Sequence, residues 1–234
     1  MYHSITFGDK NTWEDWHLIP SSRPLFNPPK PKTQYWDVPG RHGQVDGTES
    51  LTGYPLFENR TGSIEFIVKN GYWDWTVAYS TIMNYLHGRH MKAILEDDPG
   101  YYYEGRFSVN SWKSDKNWST IVIDYEVDPY KKSVNDSMTP WYWDTFNFER
   151  DVIQDGKSIV INGETKVVII GSPMRMSPTI TATSEMTVSF NGEIYTVPAN
   201  TPTLMFEIEL VEGDNELLFN GHGTVDIEYR VGEL

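Results

Sequence analysis

The chain has 234 residues, of which 38 % are hydrophobic and 14 % aromatic, which is enough to build one large or two ordinary domains with packed cores. It contains no cysteine, so a disulfide framework and thiolate chemistry are excluded. Its net charge of −14 argues against nucleic-acid binding, because affinity for phosphate comes from lysine and arginine side chains.

The N-terminal stretch is predicted to be extended and rich in proline. Ile5 and Phe7 indicate a short strand, and Trp16–Ile19 indicates a second one. Five prolines from Pro20 to Pro31 exclude a helix in the segment that they span. We interpret this segment as a rigid connector, and a proline-rich ligand for an aromatic groove is the alternative.

A long excursion follows, from Val38 to Gly62. It starts from a predicted strand at 34–39, passes a glycine-rich turn at 41–47 and continues through a segment with few apolar anchors at 48–54. Its large apolar side chains are Val45, Leu51, Tyr54, Leu56 and Phe57. Because so long a connection is unusual in a compact domain, we predict that the excursion is an arm that reaches a neighbouring chain.

The clearest element is an amphipathic helix at about residues 73–87. Large apolar side chains recur at i, i+4, i+7, i+8 and i+11, so they share one face. They are Trp75, Tyr79, Ile82, Met83 and Leu86. Gly88 is expected to end the helix in the left-handed C′ position.

Strands are predicted on both sides of this helix. One begins at Gly62, and three more lie at Met91–Glu96, Tyr102–Val109 and Trp118–Val127. Residues 97–100 are predicted to form the first turn between these strands, and residues 110–117 a polar connection. The first half is therefore expected to be a β-rich domain with one helix packed across it.

The second half is predicted to consist of strands alone. The strongest local signal is a hairpin in which Asn191-Gly192 pairs Val188 with Tyr195 and Met186 with Val197. Further strands are predicted at Trp141–Phe148, Ser158–Ile161, Val167–Ile170, Leu204–Leu210, Leu217–Phe219 and Val225–Val231. Short strands at this spacing favour an antiparallel β-sandwich.

Charge and tryptophan are distributed unevenly between the two halves. Residues 1–132 hold 14 basic and 17 acidic residues, net −3, whereas residues 133–234 hold 5 and 16, net −11. All nine tryptophans lie at or before Trp143. The polar segment 131–137 is short, as a linker should be. We therefore predict two domains, 1–132 and 133–234.

No pattern in the sequence indicates catalysis or metal binding. His87 and His90 lie three residues apart, but Gly88 breaks the helix that would bring them to one face, so we interpret them as a helix end. Residues 96–98 offer neighbouring carboxylates, although as turn residues they need no catalytic role. Phosphate-binding loops and nucleophile motifs are missing. We expect no catalytic residue, no cofactor site and no metal site.

Five blocks of the first half form an ordered set. They are 11–20 (NTWEDWHLIP), 27–33 (NPPKPKT), 82–88 (IMNYLHG), 94–107 (ILEDDPGYYYEGRF) and 123–131 (IDYEVDPYK). In this order they resemble the distal tail proteins (Dit) of long, non-contractile-tailed phages, across residues 1–132. The second half is similar to the C-terminal domain of that family more weakly, through 213–215 (GDN) and 229–234 (YRVGEL).

The resemblance implies a mainly β chain, with a ring-forming N-terminal domain that carries the helix and an extended hairpin arm at about 38–62. A galectin-like antiparallel β-sandwich follows at 133–234. Family members form a hexameric ring, a structural hub that joins the tail tube to the tail-associated protein, lets DNA pass and in some cases holds receptor-binding proteins. The implied ring interface includes the apolar arm side chains Val45, Leu51, Tyr54, Leu56 and Phe57.

The expected location is the virion, at the tail tip, after synthesis in the host cytoplasm. Residues 1–8 lack a signal-peptide pattern, and no apolar run approaches the roughly 18 residues of a membrane span. We expect neither membrane insertion nor sequence-specific nucleic-acid binding.

The alternative from another class is a carbohydrate-binding protein of the tail tip or cell wall, with the sandwich as its lectin domain. Such a site would need a cleft lined by exposed aromatic side chains. The second half has no tryptophan after Trp143. An enzyme of the tail tip would need a catalytic pair, which the sequence lacks.

Overall fold

A computed structural model describes residues 2–69, 75–115, 118–140 and 153–234. The chain separates into two compact units, Met1–Lys131 and Lys132–Leu234. Strands dominate both units, and a single α-helix is found within the described ranges. The prediction of a mainly β chain, with a β-rich first part and one amphipathic helix, is confirmed.

The described residues of the first unit form nine strands and the helix. In chain order they are β1 (Ile5–Phe7), β2 (Lys10–Asn11), β3 (Ile19–Pro20), β4 (Tyr35–Asp37), β5 (Gln44–Asp46), β6 (Arg60–Lys69), α1 (Trp75–Leu86), β7 (Arg89–Leu95), β8 (Asp98–Ser114) and β9 (Trp118–Val127). β10 (Lys131–Ser133) follows at the junction between the units.

Seven of these strands form the main sheet, in the order β2-β1-β7-β8-β9-β6-β3. The neighbours are antiparallel, and β6 pairs with β9 along its whole length, with Phe66 opposite Ile121. Because side chains alternate between the two faces of a strand, Ile121, Ile123 and Tyr125 all point to one face and are buried. This face holds the core of the unit.

The helix α1 covers that core. Ala78, Ile82 and Leu86 are buried, so the predicted apolar face of the helix packs against the core. Gly88 has φ of +73°, as expected for a C′ residue, and its N–H donates to the carbonyl oxygen of Phe107 at 2.8 Å. The end of the helix is thereby fastened to β8.

Two predicted features of the first unit are wrong. The turn between β7 and β8 consists of residues 96 and 97, whereas residues 98–100 belong to β8. Asp98 is held there by an ion pair of 2.7 Å with Lys131. The predicted polar connection at 110–117 instead continues β8 as far as Ser114, because a register shift between Val109 and Ser111 lets the polar residues go on pairing with β9.

Where the second unit is described, it has one further sheet. Its strands are β11 (Ile159–Gly171), β12 (Thr179–Ala182), β13 (Met186–Phe190), β14 (Glu193–Val197), β15 (Thr203–Leu204) and β16 (Gly213–Glu228), followed by β17 (Gly232–Glu233), which pairs with β10. The order is β14-β13-β16-β12-β15, with β11 also paired to β16. The predicted strand at 141–148 lies outside the described residues.

The predicted hairpin of the second unit is confirmed in register. Val188 faces Tyr195 and Met186 faces Val197. Asn191 and Gly192 have φ of +52° and +88°, the positive values that a type I′ turn requires at both central positions. This turn is therefore set by local sequence.

Three predicted boundaries of the second unit are wrong. The pairs of short strands predicted around Gly163 and Gly221 are two continuous strands, β11 and β16, which pair with each other over 13 residues with those glycines opposite. β16 ends at Glu228. The strand predicted at Leu204–Leu210 stops at Leu204, because Ile208 and Leu210 reach the core from a loop.

The polar segment at the start of the second unit is held by Arg230. Its guanidinium donates to the carbonyl oxygens of Ser133 and Val134, at 2.6 and 2.7 Å, and pairs with Asp136 at 2.8 Å. Ser137 is buried and donates to the carbonyl oxygen of Ile227. The predicted linker thus has specific partners. In the described ranges no helix is long and apolar enough to cross a membrane.

Candidate assembly interface

The predicted arm is a hairpin with its own small sheet. β4 and β5 pair antiparallel, with Tyr35 opposite Asp46 and Trp36 opposite Val45, and they form a two-stranded sheet apart from the main one. The hairpin therefore begins at Tyr35, before the predicted start at Val38. The turn between its strands is carried by residues 38–43.

Below the hairpin, the two chain segments of the arm run side by side as a stem. Pro31 and Phe57 form an antiparallel bridge. Lys32 donates its N–H to the carbonyl oxygen of Leu56, and Glu58 donates to that of Lys30, both at 2.8 Å. The arm is consequently a paired structure from residue 30 to residue 58.

The arm exposes apolar side chains and contributes none to either core. Of the five predicted interface residues, Leu51 is 97 % exposed and Leu56 40 %, whereas Val45, Tyr54 and Phe57 are half-buried. Leu51 and Leu56 line one hollow together with Trp36, and Phe57 lies apart at the stem. The prediction missed the exposed Tyr35, Trp36 and Val38, which strand spacing alone does not distinguish from core residues.

A glycine in the arm has a steric role. The ring of Trp36 lies across the backbone of Gly47, so that a Cβ atom at position 47 would come within 1.7 Å of a ring carbon. Only glycine leaves room for this contact. The contact fixes Trp36 on the hairpin although the side chain remains 46 % exposed.

The base of the arm is fixed by Arg60, which is buried at the start of β6. Its Nε donates to the carbonyl oxygen of Pro129 at 2.8 Å, and an Nη donates to that of Asn27 at 3.1 Å. The guanidinium also lies over the ring of Tyr103, 5.4 Å from its centroid. Burial lowers the pKa of the Arg60 guanidinium below its ordinary range. One cation therefore joins the proline-rich entry to the arm and the segment after β9.

Two neighbouring contacts reinforce this base. The side-chain amide of Asn59 donates to Glu126 at 3.1 Å. The rings of Phe57 and Tyr130 meet edge to face, with centroids 6.0 Å apart. Both contacts tie the returning segment of the arm to residues near the end of β9. The base is thus anchored to the main sheet, while the hairpin beyond it is not.

The residues considered for catalysis have separate structural partners. His87 accepts a hydrogen bond from the backbone N–H of Val109 at 3.1 Å. Glu96 accepts from the backbone N–H of Ser4, which lowers its pKa, and Asp97 is bound by His3. Within the described ranges, no group of three or more His, Asp or Glu side chains could hold a metal ion.

A polar cleft of about 610 Å³ lies on the second unit. Lys166 and Glu216 form an ion pair of 2.5 Å in it, and Glu209 pairs with Arg175 at 2.9 Å. Among the described residues that line it, one is aromatic, Phe190, which is 8 % exposed. As far as the structure describes its lining, the cleft thus offers hydrogen-bonding groups but no open aromatic face.

Comparison with known proteins gives information on the fold. No protein-family model and no curated protein matches the chain. A solved structure does match, that of the Dit protein (gp 19.1) of phage SPP1, described as a paradigm of the hub adsorption apparatus in phages that infect Gram-positive bacteria. The match covers 100 % of both chains, with a TM-score of 0.61 and 10 % identity. The chain therefore has the fold of Dit, as the resemblance in sequence implied.

Proposed function

We propose that this chain is a structural protein of a phage tail, a distal tail protein that forms a hexameric ring at the tail tip. The observation that carries this proposal is the agreement in fold with SPP1 Dit over the whole of both chains. In this role the ring joins the tail tube to the tail-associated protein, and the second unit is the galectin-like domain, available to receptor-binding proteins.

The arm favours assembly into a ring, because a neighbouring subunit would bury its exposed apolar side chains. Burying a large apolar side chain contributes about 1.5–3 kcal/mol before ordering costs. Leu51 is 97 % exposed and has almost none of that burial within its own chain, and Leu56 is 40 % exposed. In a closed ring every subunit gives one arm and receives one, so the gain is repeated at each contact.

The charge of the chain suits a conduit for DNA. Asp and Glu outnumber Lys and Arg by 33 to 19, so the overall field of the chain repels phosphate, and DNA would pass without being held. On the face of the main sheet away from the core, Asp124 accepts hydrogen bonds from Ser63 and Asn110, both at 2.6 Å. At this point of the face, the hydroxyl, amide and carboxylate groups carry no positive charge that would bind phosphate.

Negative-stain electron microscopy and light scattering on the purified full chain test this function. We expect six-fold rings with a central opening, and a mass near six times 27.0 kDa. A chain that remains monomeric at micromolar concentration, alone and in the presence of a tail tube protein, would contradict the proposal.

The second candidate is carbohydrate binding, which the polar cleft on the second unit favours. Lys166, Asn191 and Glu216 could donate to and accept from sugar hydroxyls there. Binding of the full chain to a glycan array, lost in Asn191→Ala and kept in the arm variant Trp36→Ala, would support this function. It is compatible with the ring and would add to it.

A further inference from the structure

An aromatic groove lies on the main sheet at its β3 edge. Its volume is about 430 Å³, and its walls include Tyr2, Trp13, His17, Ile19, Ile67 and Trp118. The rings of Tyr2 and Trp13 stack at 3.8 Å with 16° between their planes, and His17 meets Trp13 edge to face at 5.5 Å. Ile19 and Ile67 are register neighbours on β3 and β6.

The groove is open, apolar and already formed. Tyr2 is 45 % exposed and Trp118 53 %. Among the described residues, no Asp, Glu, Lys or Arg lines it. Stacking already fixes the ring of Trp13. Binding of a partner in the groove therefore costs little further side-chain entropy. An exposed aromatic surface of this kind is typical of an interaction site for an uncharged, apolar partner.

The position of the groove relative to the arm restricts what can fill it. Both features are attached to β6: the arm leaves this strand at Arg60, and the groove includes Ile67 near its other end. Seven residues of strand at about 3.3 Å each separate the two points by roughly 23 Å. One end of the strand therefore carries a protruding apolar surface, and the other end a receiving one.

The outer part of the arm presents a leucine that fits such a groove. Ser50 donates its N–H to the carbonyl oxygen of Gly47 at 3.0 Å, and Gly53 donates to that of Glu49 at 2.8 Å. These bonds fold the segment into a compact turn, with Leu51 almost fully exposed. An apolar side chain held on a turn can enter this groove without burying any of the charged side chains that the structure describes.

We propose that the groove receives the arm of a second copy of this chain, with Leu51 entering between Trp118 and the Tyr2–Trp13 stack. The arm and the groove lie at opposite ends of one strand, so the arm of one copy can bind the groove of the next in a head-to-tail contact. In a closed ring this contact repeats, and every arm and every groove is occupied. This inference rests on the proposed ring and assigns the surface that closes it.

Engineered cysteines test the contact directly, because the natural chain has none. Leu51→Cys and Trp118→Cys are made in separate chains that carry different tags, and the two chains are co-expressed so that mixed assemblies form. A short bis-maleimide then joins cysteines that lie close together. Any product with both tags must link two copies. The matched control replaces Trp118→Cys by Val160→Cys, which lies on β11 and is also exposed.

We expect about ten-fold more two-tag product with Trp118→Cys than with Val160→Cys, because docking raises the effective concentration of the paired cysteines. Equal yields, while rings persist in the microscope, would overturn the docking site and leave the ring standing. Absence of any oligomer would reject both. If neutral oligosaccharides protect the thiol of the Trp118→Cys variant from maleimide and no two-tag product forms, the groove binds a sugar instead.

A charge placed in the groove gives an independent test. Trp118→Asp should shift the assembly from hexamer to monomer in light scattering, whereas Ile194→Asp, at an exposed position of the second unit, should leave it unchanged. Circular dichroism reports whether each variant is folded. A folded Trp118→Asp chain that still forms hexamers would refute the assignment.

Discussion

Arg60 donates a hydrogen bond from Nε to the carbonyl oxygen of Pro129 at 2.8 Å, across 69 residues of sequence. The same guanidinium reaches the carbonyl oxygen of Asn27. The point where the arm leaves the main sheet is thus bonded to the segment that leads towards the second unit.

Replacing Arg60 tests this arrangement. Arg60→Met keeps the aliphatic part of the side chain, but the carbonyl oxygens of Asn27 and Pro129 lose their buried donors. We therefore expect the free energy of unfolding to fall by about 2–4 kcal/mol. Denaturant titration followed by tryptophan fluorescence measures the change. Arg41→Met, at an exposed position of the hairpin turn, is the control and should be nearly neutral. Equal midpoints for the two variants would show that Arg60 contributes little.

Removing the outer arm should affect assembly and not folding. Deleting Gln44–Tyr54 and bridging with Gly-Ser removes β5 and the turn that carries Leu51, while the stem and the main sheet remain. We expect a folded chain whose light-scattering mass falls from hexamer towards monomer. Stable hexamers at micromolar concentration would contradict this expectation, and a chain that cannot fold would place the segment in the core.

The stability of the folded chain at acid pH should depend on Asp97. A hydrogen bond from His3 holds the pKa of this carboxyl below its ordinary value of 3.8, with Arg23 acting in the same sense and burial opposing. Because the folded-state pKa is the lower one, the contribution is present above about pH 4 and is lost as the pH falls through the folded-state pKa. Asp97→Asn should therefore lower the melting temperature at neutral pH and flatten its decline in acid. The exposed Glu164→Gln serves as control, and parallel profiles for the natural chain and Asp97→Asn would contradict the assignment.

The turn between β13 and β14 offers a test of backbone conformation. Gly192 has φ of +88°, so Gly192→Ala should destabilise the second unit by about 1–2 kcal/mol. Asn191→Gly relieves rather than creates strain at the neighbouring position and should be neutral within about 0.5 kcal/mol. Calorimetry of the full chain compares the two. Equal melting temperatures would mean that the turn relaxes to another type.

Arg230 should protect the start of the second unit from proteases. It binds the carbonyl oxygens of Ser133 and Val134 and the carboxylate of Asp136. Arg230→Ala should make trypsin cleave first after Lys131 or Lys132, where the natural chain resists, because cleavage requires the segment to leave its partners. Arg175→Ala, which removes the ion pair with Glu209, should keep the natural pattern. Rapid cleavage of the natural chain at these lysines would show that Arg230 does not hold the segment.

Features with short-range signals could be predicted from the sequence, because a few adjacent residues determine them. The helix stripe at Ile82 and Leu86, its end at Gly88, and the Asn191-Gly192 turn are all of this kind. The continuity of β11 and β16 could not be predicted from the sequence. A glycine usually interrupts a strand, and only the three-dimensional structure shows that Gly163 and Gly221 lie opposite each other within one continuous pairing.

The groove could not be predicted for a similar reason. Its walls come from positions 2, 13, 19, 67 and 118, which meet only through the order of strands in the main sheet. Tyr2 and Trp118 are exposed, although the sequence around them does not distinguish them from buried aromatic residues. Composition predicts how many aromatic rings a chain carries, and only pairing between distant strands decides which of them face solvent.

The separation of the β4–β5 sheet from the main sheet has a kinetic consequence. Because the hairpin shares no strand with the main sheet, it can open by a local fluctuation that leaves the core intact. Its amide hydrogens in the free chain should exchange with deuterium within a short time, long before those of Phe66 or Ile123. A neighbour that covers the hairpin would slow the exchange there alone, so the amides of residues 35–46 would record the moment at which one chain engages the next.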